Sequence, residues 1–133
     1  MKYHDFLGQV QHRAEMATTE EAVSATRATL QTLAERVTRG QASHVAAQLP
    51  EELAIYLSDA KPKPERFSLD EFFERVAARE GADMPQSTYH ARVVVEVLGE
   101  ALNPDEWEEL RGQLPDEYNP LFESGSTGPM QTG

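Results

Sequence analysis

The chain has 133 residues, 39% of them hydrophobic, a net charge of −11 and no cysteine. That length suits a single domain able to bury roughly two-thirds of its unfolded surface without a staple. Disulfides, thiolate nucleophiles and cysteine-based zinc sites are excluded at the outset. Charge is unevenly distributed. Residues 1–66 hold eight Lys/Arg against nine Asp/Glu, and residues 67–133 hold four against fourteen. Nucleic-acid binding needs basic patches that displace counterions, so it is not expected. A field of this sign suits a basic protein partner or simple solubility. No stretch approaches the roughly 20 apolar residues of a membrane span, and MKYHDFLGQVQH lacks the apolar run of a signal peptide. The expectation is a cytoplasmic protein that engages no membrane.

Taken in chain order, Tyr3, Phe6, Leu7 and Val10 stand at helical spacing and predict a first helix over about 3–14. Thr18 with Glu21 three residues on reads as a capping box. The stripe Val23, Thr26, Leu30, Leu33, Val37 then predicts a long amphipathic helix, which Gly40 should end. A third helix is expected over Ala42–Leu49, stopped by Pro50, and a fourth over about Glu51–Ser58. KPKP at 61–64 stiffens the chain and marks a connector.

Ser68 and Glu71 form a second capping-box pattern, before a helix carrying Leu69, Phe72, Phe73 and Val76 that Gly81 closes. ARVVVEVL at 91–98 is rich in β-branched residues and alone would read as a strand. It nevertheless aligns with TRATLQTL at 26–33, within a clear helix, so a helix buried on several faces is expected. Asn103–Pro104 caps and starts the next helix, and Gln113–Leu114–Pro115 ends it.

QLPEEL at 48–53 returns as QLPDEY at 113–118. The same shift brings Arg27 onto Arg92, Leu33 onto Leu98 and Glu35 onto Glu100. A shift one residue longer brings Phe6 onto Phe72, Val10 onto Val76 and Arg13 onto Arg79. Repeats of this length mean one supersecondary unit used twice. The predicted architecture is all-α: two pseudo-symmetric four-helix repeats packed as one compact helical domain. The first covers residues 1–60, a Pro-rich connector 61–67 and the second 68–123. The tail at 124–133, SGSTGPMQTG, has the composition of a disordered end. The repeated phrase is then a corner, in which Leu plugs the core, Pro stops one helix and two acids suit the next helix's first turn.

The order Arg27-x5-Leu33, Ala46-x-QLPEEL, Arg92-x5-Leu98, Leu110-Arg111-x-QLPDEY-x-x-Leu121-Phe122 resembles the bacterial and archaeal family known as domain of unknown function 2267. The likeness runs from about Tyr3 to Phe122. It implies a compact all-helical domain and brings no catalytic residues.

Candidate chemistry is sparse. Of His4, His12, His44 and His90, none belongs to an HExxH or is preceded by Glu at three residues, so no metal site or cofactor is expected. GxSxG, P-loop and GxGxxG motifs are absent, and no catalytic residue is assigned. Arg27 and Arg92 are candidate structural or anion-binding residues. Each is expected to be partly buried and bonded within its own repeat, to carbonyls or to Glu52 and Glu117, with a shared two-arginine anion site as the alternative. Asp105, Glu106, Trp107 and Glu109 are the candidate partner face, because DEWEELRGQLP at 105–115 carries four acids where GQASHVAAQLP at 40–50 is nearly neutral. These observations predict a non-enzymatic protein–protein interaction or self-association module. A small-ligand or anion-binding regulator with a site between the repeats is the alternative.

Overall fold

The computed structural model describes residues 1–123; the tail at 124–133 lies outside the described residues. Among the described residues eight helices follow in order: α1 Tyr3–Arg13, α2 Thr19–Arg36, α3 Arg39–Ala46, α4 Glu51–Ala54, α5 Leu69–Glu80, α6 Met84–Ala101, α7 Pro104–Gly112 and α8 Asn119–Phe122. A 3-10 turn over Ile55–Leu57 prolongs α4, and another over Asp116–Tyr118 precedes α8. No strand occurs among the described residues, and none of their helices is long and apolar enough to cross a membrane.

The β-branched run resolves as helix. Val93, Val94, Val95 and Val97 are fully buried, because α6 is enclosed by α1, α2, α5 and α8. A helix covered all round needs no polar face, so apolar residues need not keep to one stripe. Helix α2 packs against α1, α5 and α6, and Leu30, Leu33 and Val37 sit in the core as their spacing predicts.

Helix ends show where local chemistry overrode the expected boundaries. Gly40 does not terminate α2. That helix stops at Arg36, Val37 turns extended, and Thr38 starts α3 by accepting a hydrogen bond from Gln41 N at 3.1 Å. Gly40 therefore lies inside α3, which ends at Ala46 rather than Leu49. The residue before a proline is pushed from helical geometry, and Gln48 and Leu49 leave the helix in turns before Pro50. Both capping boxes are half formed. Thr18 and Ser68 accept from Glu21 N and Glu71 N, but the Glu21 carboxylate accepts from Ala17 N and that of Glu71 pairs with Arg75. Gly81 closes α5 in left-handed geometry at φ 76°, a conformation glycine adopts without a Cβ penalty. Asn103 caps α7 through Glu106 N at 2.8 Å, as read from Asn-Pro.

The corners are structural. Pro50 and Pro115 are each the extended cap of the following helical turn, with Glu51 and Glu52 or Asp116 and Glu117 in that turn. At the second corner Tyr118 is fully buried, and its hydroxyl donates to Phe67 O at 2.7 Å. Arg36 Nε donates to the same carbonyl at 3.0 Å, and its guanidinium lies 5.2 Å from the Tyr118 ring centroid. The second corner thus clamps the connector onto the end of α2.

Candidate functional site

Structure separates the two repeat-matched arginines. Arg27 is exposed on α2, and its side chain makes no hydrogen bond or ion pair among the described residues. Arg92 is 3% exposed on α6, and its Nε has no acceptor. Burial alone pushes the Arg92 guanidinium below its usual pKa. The expectation that both are half-buried and bonded within their own repeats is therefore corrected. Glu117, expected beside Arg92, instead accepts from Leu69 N at 3.2 Å, and Glu52 is exposed.

The arginines that do tie the fold lie elsewhere, and they cross between the halves. Arg13 of α1 grips Glu100 of α6 in a two-point bond at 2.7 and 2.8 Å and also reaches Glu96 at 2.6 Å. Arg79 of α5 grips Glu35 of α2 in the same way, at 2.9 and 2.6 Å. Bonds to Arg79 and Arg13 hold the Glu35 and Glu100 carboxyls below the usual carboxylate range. Burial disfavours the Arg75 charge, but bonds to Glu65, Glu71 and Glu35 outweigh it and raise its pKa. Two backbone donors are capped across the same boundary. Thr38 N donates to Gln113 Oε1 at 3.4 Å, and Asn103 N to Gln48 Oε1 at 2.8 Å.

The expected partner face is divided. Asp105 and Glu109 are exposed, but Glu106 is 8% exposed and its Oε2 accepts from Gln41 Nε2 at 2.5 Å. Trp107 is half-buried, set edge-on to Phe122 at 5.3 Å and pressed against Gly99. A Cβ at Gly99 would stand 2.9 Å from Trp107 Cζ2. The tryptophan is therefore a packing residue that seats α7 on α6.

An acidic concave site joins elements of both halves. A cavity of about 470 Å³ is lined by Glu15, Met16, Glu21 and Ser24 from one half, and by Glu80, Gln86, Tyr89 and His90 from the other. His90 Nδ1 is bonded to Glu80 Oε2. The Glu80 side chain is 6% exposed, and its Oε1 has no hydrogen-bond partner. Burial, with help from the Glu15 and Glu96 charges, raises the Tyr89 phenol pKa. It stays protonated and donates to Arg13 O at 2.6 Å. No lysine or arginine side chain lines this cavity. Glu15 holds φ at 55°, the one left-handed non-glycine residue among those described. Sequence reasoning missed this site. Glu80 and His90 sit on different helices with no motif spacing, and Glu15 betrays its geometry only by aligning with Gly81.

Fold and site together define an all-α domain with charged ties between its halves and an acidic cleft where they meet. The chain belongs to the family of uncharacterized conserved proteins DUF2267, whose model matches residues 3–121. No match among curated proteins was found.

Proposed function

We propose that the protein is a non-enzymatic cytoplasmic binding module, built from two copies of one helical unit, that holds a small organic cation between the copies. The repeat reading is supported by reciprocity. Arg13 aligns with Arg79 and Glu100 with Glu35, so the two crossing salt bridges exchange partners as residues across a twofold axis do. The same holds for Thr38–Gln113 and Asn103–Gln48.

Glu15 carries the ligand reading. It occupies the position that Gly81 fills in the second copy, and both backbones are left-handed. A non-glycine residue there costs roughly 1–2 kcal/mol. Glycine would relieve that cost, so the carboxylate at the cavity rim has a use beyond folding. Glu80 and His90 support it. They align with Ala14 and Ala25, which are simply buried in the first copy, so the fold does not demand a polar pair here. Three carboxylates and an imidazole at separate points around about 470 Å³ suit an amine or guanidine on a short carbon frame. The cavity offers no nucleophile held by a base; Tyr89 spends its proton on Arg13 O.

Calorimetric titration with putrescine, agmatine and choline tests this reading. One of the three should bind with a stoichiometry of one, and Glu15→Gly should weaken it while raising thermal stability. If none binds, or Glu15→Gly binds as well as the parent, the cleft is not the site.

A second reading, a basic protein partner, is favoured by Asp105 and Glu108, both exposed on an α7 that Trp107 fixes in place. Capture from a host lysate at two salt concentrations, compared with Asp105→Lys/Glu108→Lys, tests it. Equal capture by both proteins would remove it. Exposed charges are screened beyond about 8–10 Å, so genuine capture should weaken with salt.

A further inference from the structure

We infer that α3 and α7 together form a divalent-metal site, with His44, Glu106 and Glu109 as ligands. The three residues each offer a ligand atom, and these atoms lie within 4.8 Å of one another. Around zinc, ligands stand about 2.0–2.2 Å from the ion and hence roughly 3.4 Å from each other in a tetrahedron. His44 and Glu109 are exposed and free to rotate inward, so closing the set needs only small side-chain movements.

Glu106 supplies the independent reason to expect a cation. Glu106 as a residue is 8% exposed, yet no lysine or arginine pairs with it among the described residues. Its hydrogen-bond partner is the neutral Gln41 amide, on Oε2 at 2.5 Å. A buried carboxylate served only by an amide is costly; a metal ion would supply the missing charge. Gln41 then acts as the outer partner that fixes the ligand's orientation, the usual arrangement around bound metals. Glu106 is further held because Asn103 caps its own backbone N–H.

The location fits a staple between the copies. Residue 44 aligns with 109, and 41 aligns with 106, so each copy presents the same two positions to the other across the α3–α7 contact. The second copy has carboxylates at both positions and the first has an imidazole and an amide. The result is one nitrogen and two oxygen ligands with remaining positions open to water. That set suits a borderline ion such as Zn²⁺ over Ca²⁺ or Mg²⁺, which prefer oxygen alone. It is a different site from the organic-cation cleft, whose carboxylates are too dispersed to form such a cluster.

The test uses the full chain freed of metal with a chelator and titrated with Zn²⁺, then Co²⁺. One equivalent of Zn²⁺ should bind saturably and raise the thermal midpoint by several degrees, since a ligand selective for the native state stabilises it by mass action. Co²⁺ should produce a visible absorption band. His44→Ala and Glu109→Gln alter exposed side chains and should fold normally, yet each should lose at least tenfold in affinity and lose the band. His12→Ala controls for surface histidines, and Glu15→Gly, which weakens the other site, should bind Zn²⁺ unchanged. Absence of saturable binding, or equal affinity in His44→Ala and the parent, overturns the inference.

Discussion

Replacing Arg92 with methionine should make the protein more stable. The Arg92 residue is 3% exposed, its Nε is buried without an acceptor, and no carboxylate reaches the guanidinium among the described residues. Burying an ion without compensation costs several kcal/mol even after local relaxation. The terminal nitrogens are not among the fully buried orphans, so water at the aperture recovers part of that cost. Methionine keeps most of the aliphatic stem and is flexible enough to fill the space the guanidinium vacates. The expected gain is about 1–3 kcal/mol, or roughly 3–5 °C per kcal/mol in a domain of this size. Calorimetry and urea unfolding at neutral pH would measure it. Arg27→Met is the matched control; exposed and unpaired, it should change stability by no more than about 0.5 kcal/mol. A loss of stability in Arg92→Met would mean the guanidinium has a partner, and the reasoning from desolvation would be wrong.

Gly99→Ala should displace Trp107, because the new Cβ would stand 2.9 Å from the indole. Overpacking of this kind costs about 1–3 kcal/mol, and a shift of Trp107 fluorescence to longer wavelength should accompany it. Acid should weaken the ties between the halves. The Glu35 and Glu100 pKa values are lowered in the folded state from 4.5, so their stabilisation is complete above that value and lost as pH falls through the lowered folded pKa. Both pairs are partly exposed, so each is worth at most about 1 kcal/mol. Urea midpoints measured from pH 7 to 3 should fall less steeply in Glu35→Gln/Glu100→Gln than in the parent.

Residues that repeat their pattern along one helix were legible from sequence. The stripe from Thr26 to Val37, the caps at Thr18, Ser68 and Asn103, and the helical state of 91–98 all rest on local spacing or on alignment between the halves. Surroundings were not. Alignment places Arg27 and Arg92 at the same point of α2 and α6, but it cannot report that one faces water and the other is enclosed. Gly40 suggests a stop because glycine often ends helices, whereas Thr38 caps the next helix first. The burial of Glu106 escapes the sequence for a related reason. Its polarity suggested exposure, and only its approach to Gln41 across the chain shows otherwise. Neither candidate site has a sequence signature, because each draws its ligands from helices far apart in sequence.

The exchange of partners between halves leads to one more prediction. Arg13 and Glu35 both lie in the first half, but each spends its charge on the second, on Glu100 and Arg79. Arg36 likewise reaches forward to Phe67 and Tyr118. Helices α2 and α6 pack against each other, and Leu30 and Leu33 of one and Val94 and Val97 of the other are buried in the common core. Separated, each half would expose those side chains at about 1.5–3 kcal/mol apiece and leave its arginines unpaired. That loss is comparable with the whole stability of an ordinary domain, about 5–15 kcal/mol. Fragments 1–66 and 67–133 should therefore be largely unfolded as monomers, and an equimolar mixture should recover helicity as concentration rises, in the manner of an obligate dimer. Circular dichroism and sedimentation would follow the recovery. A 1–66 fragment that unfolds cooperatively as a monomer would show that the first half owns its core, and the crossing salt bridges would then be ornament on two independent units.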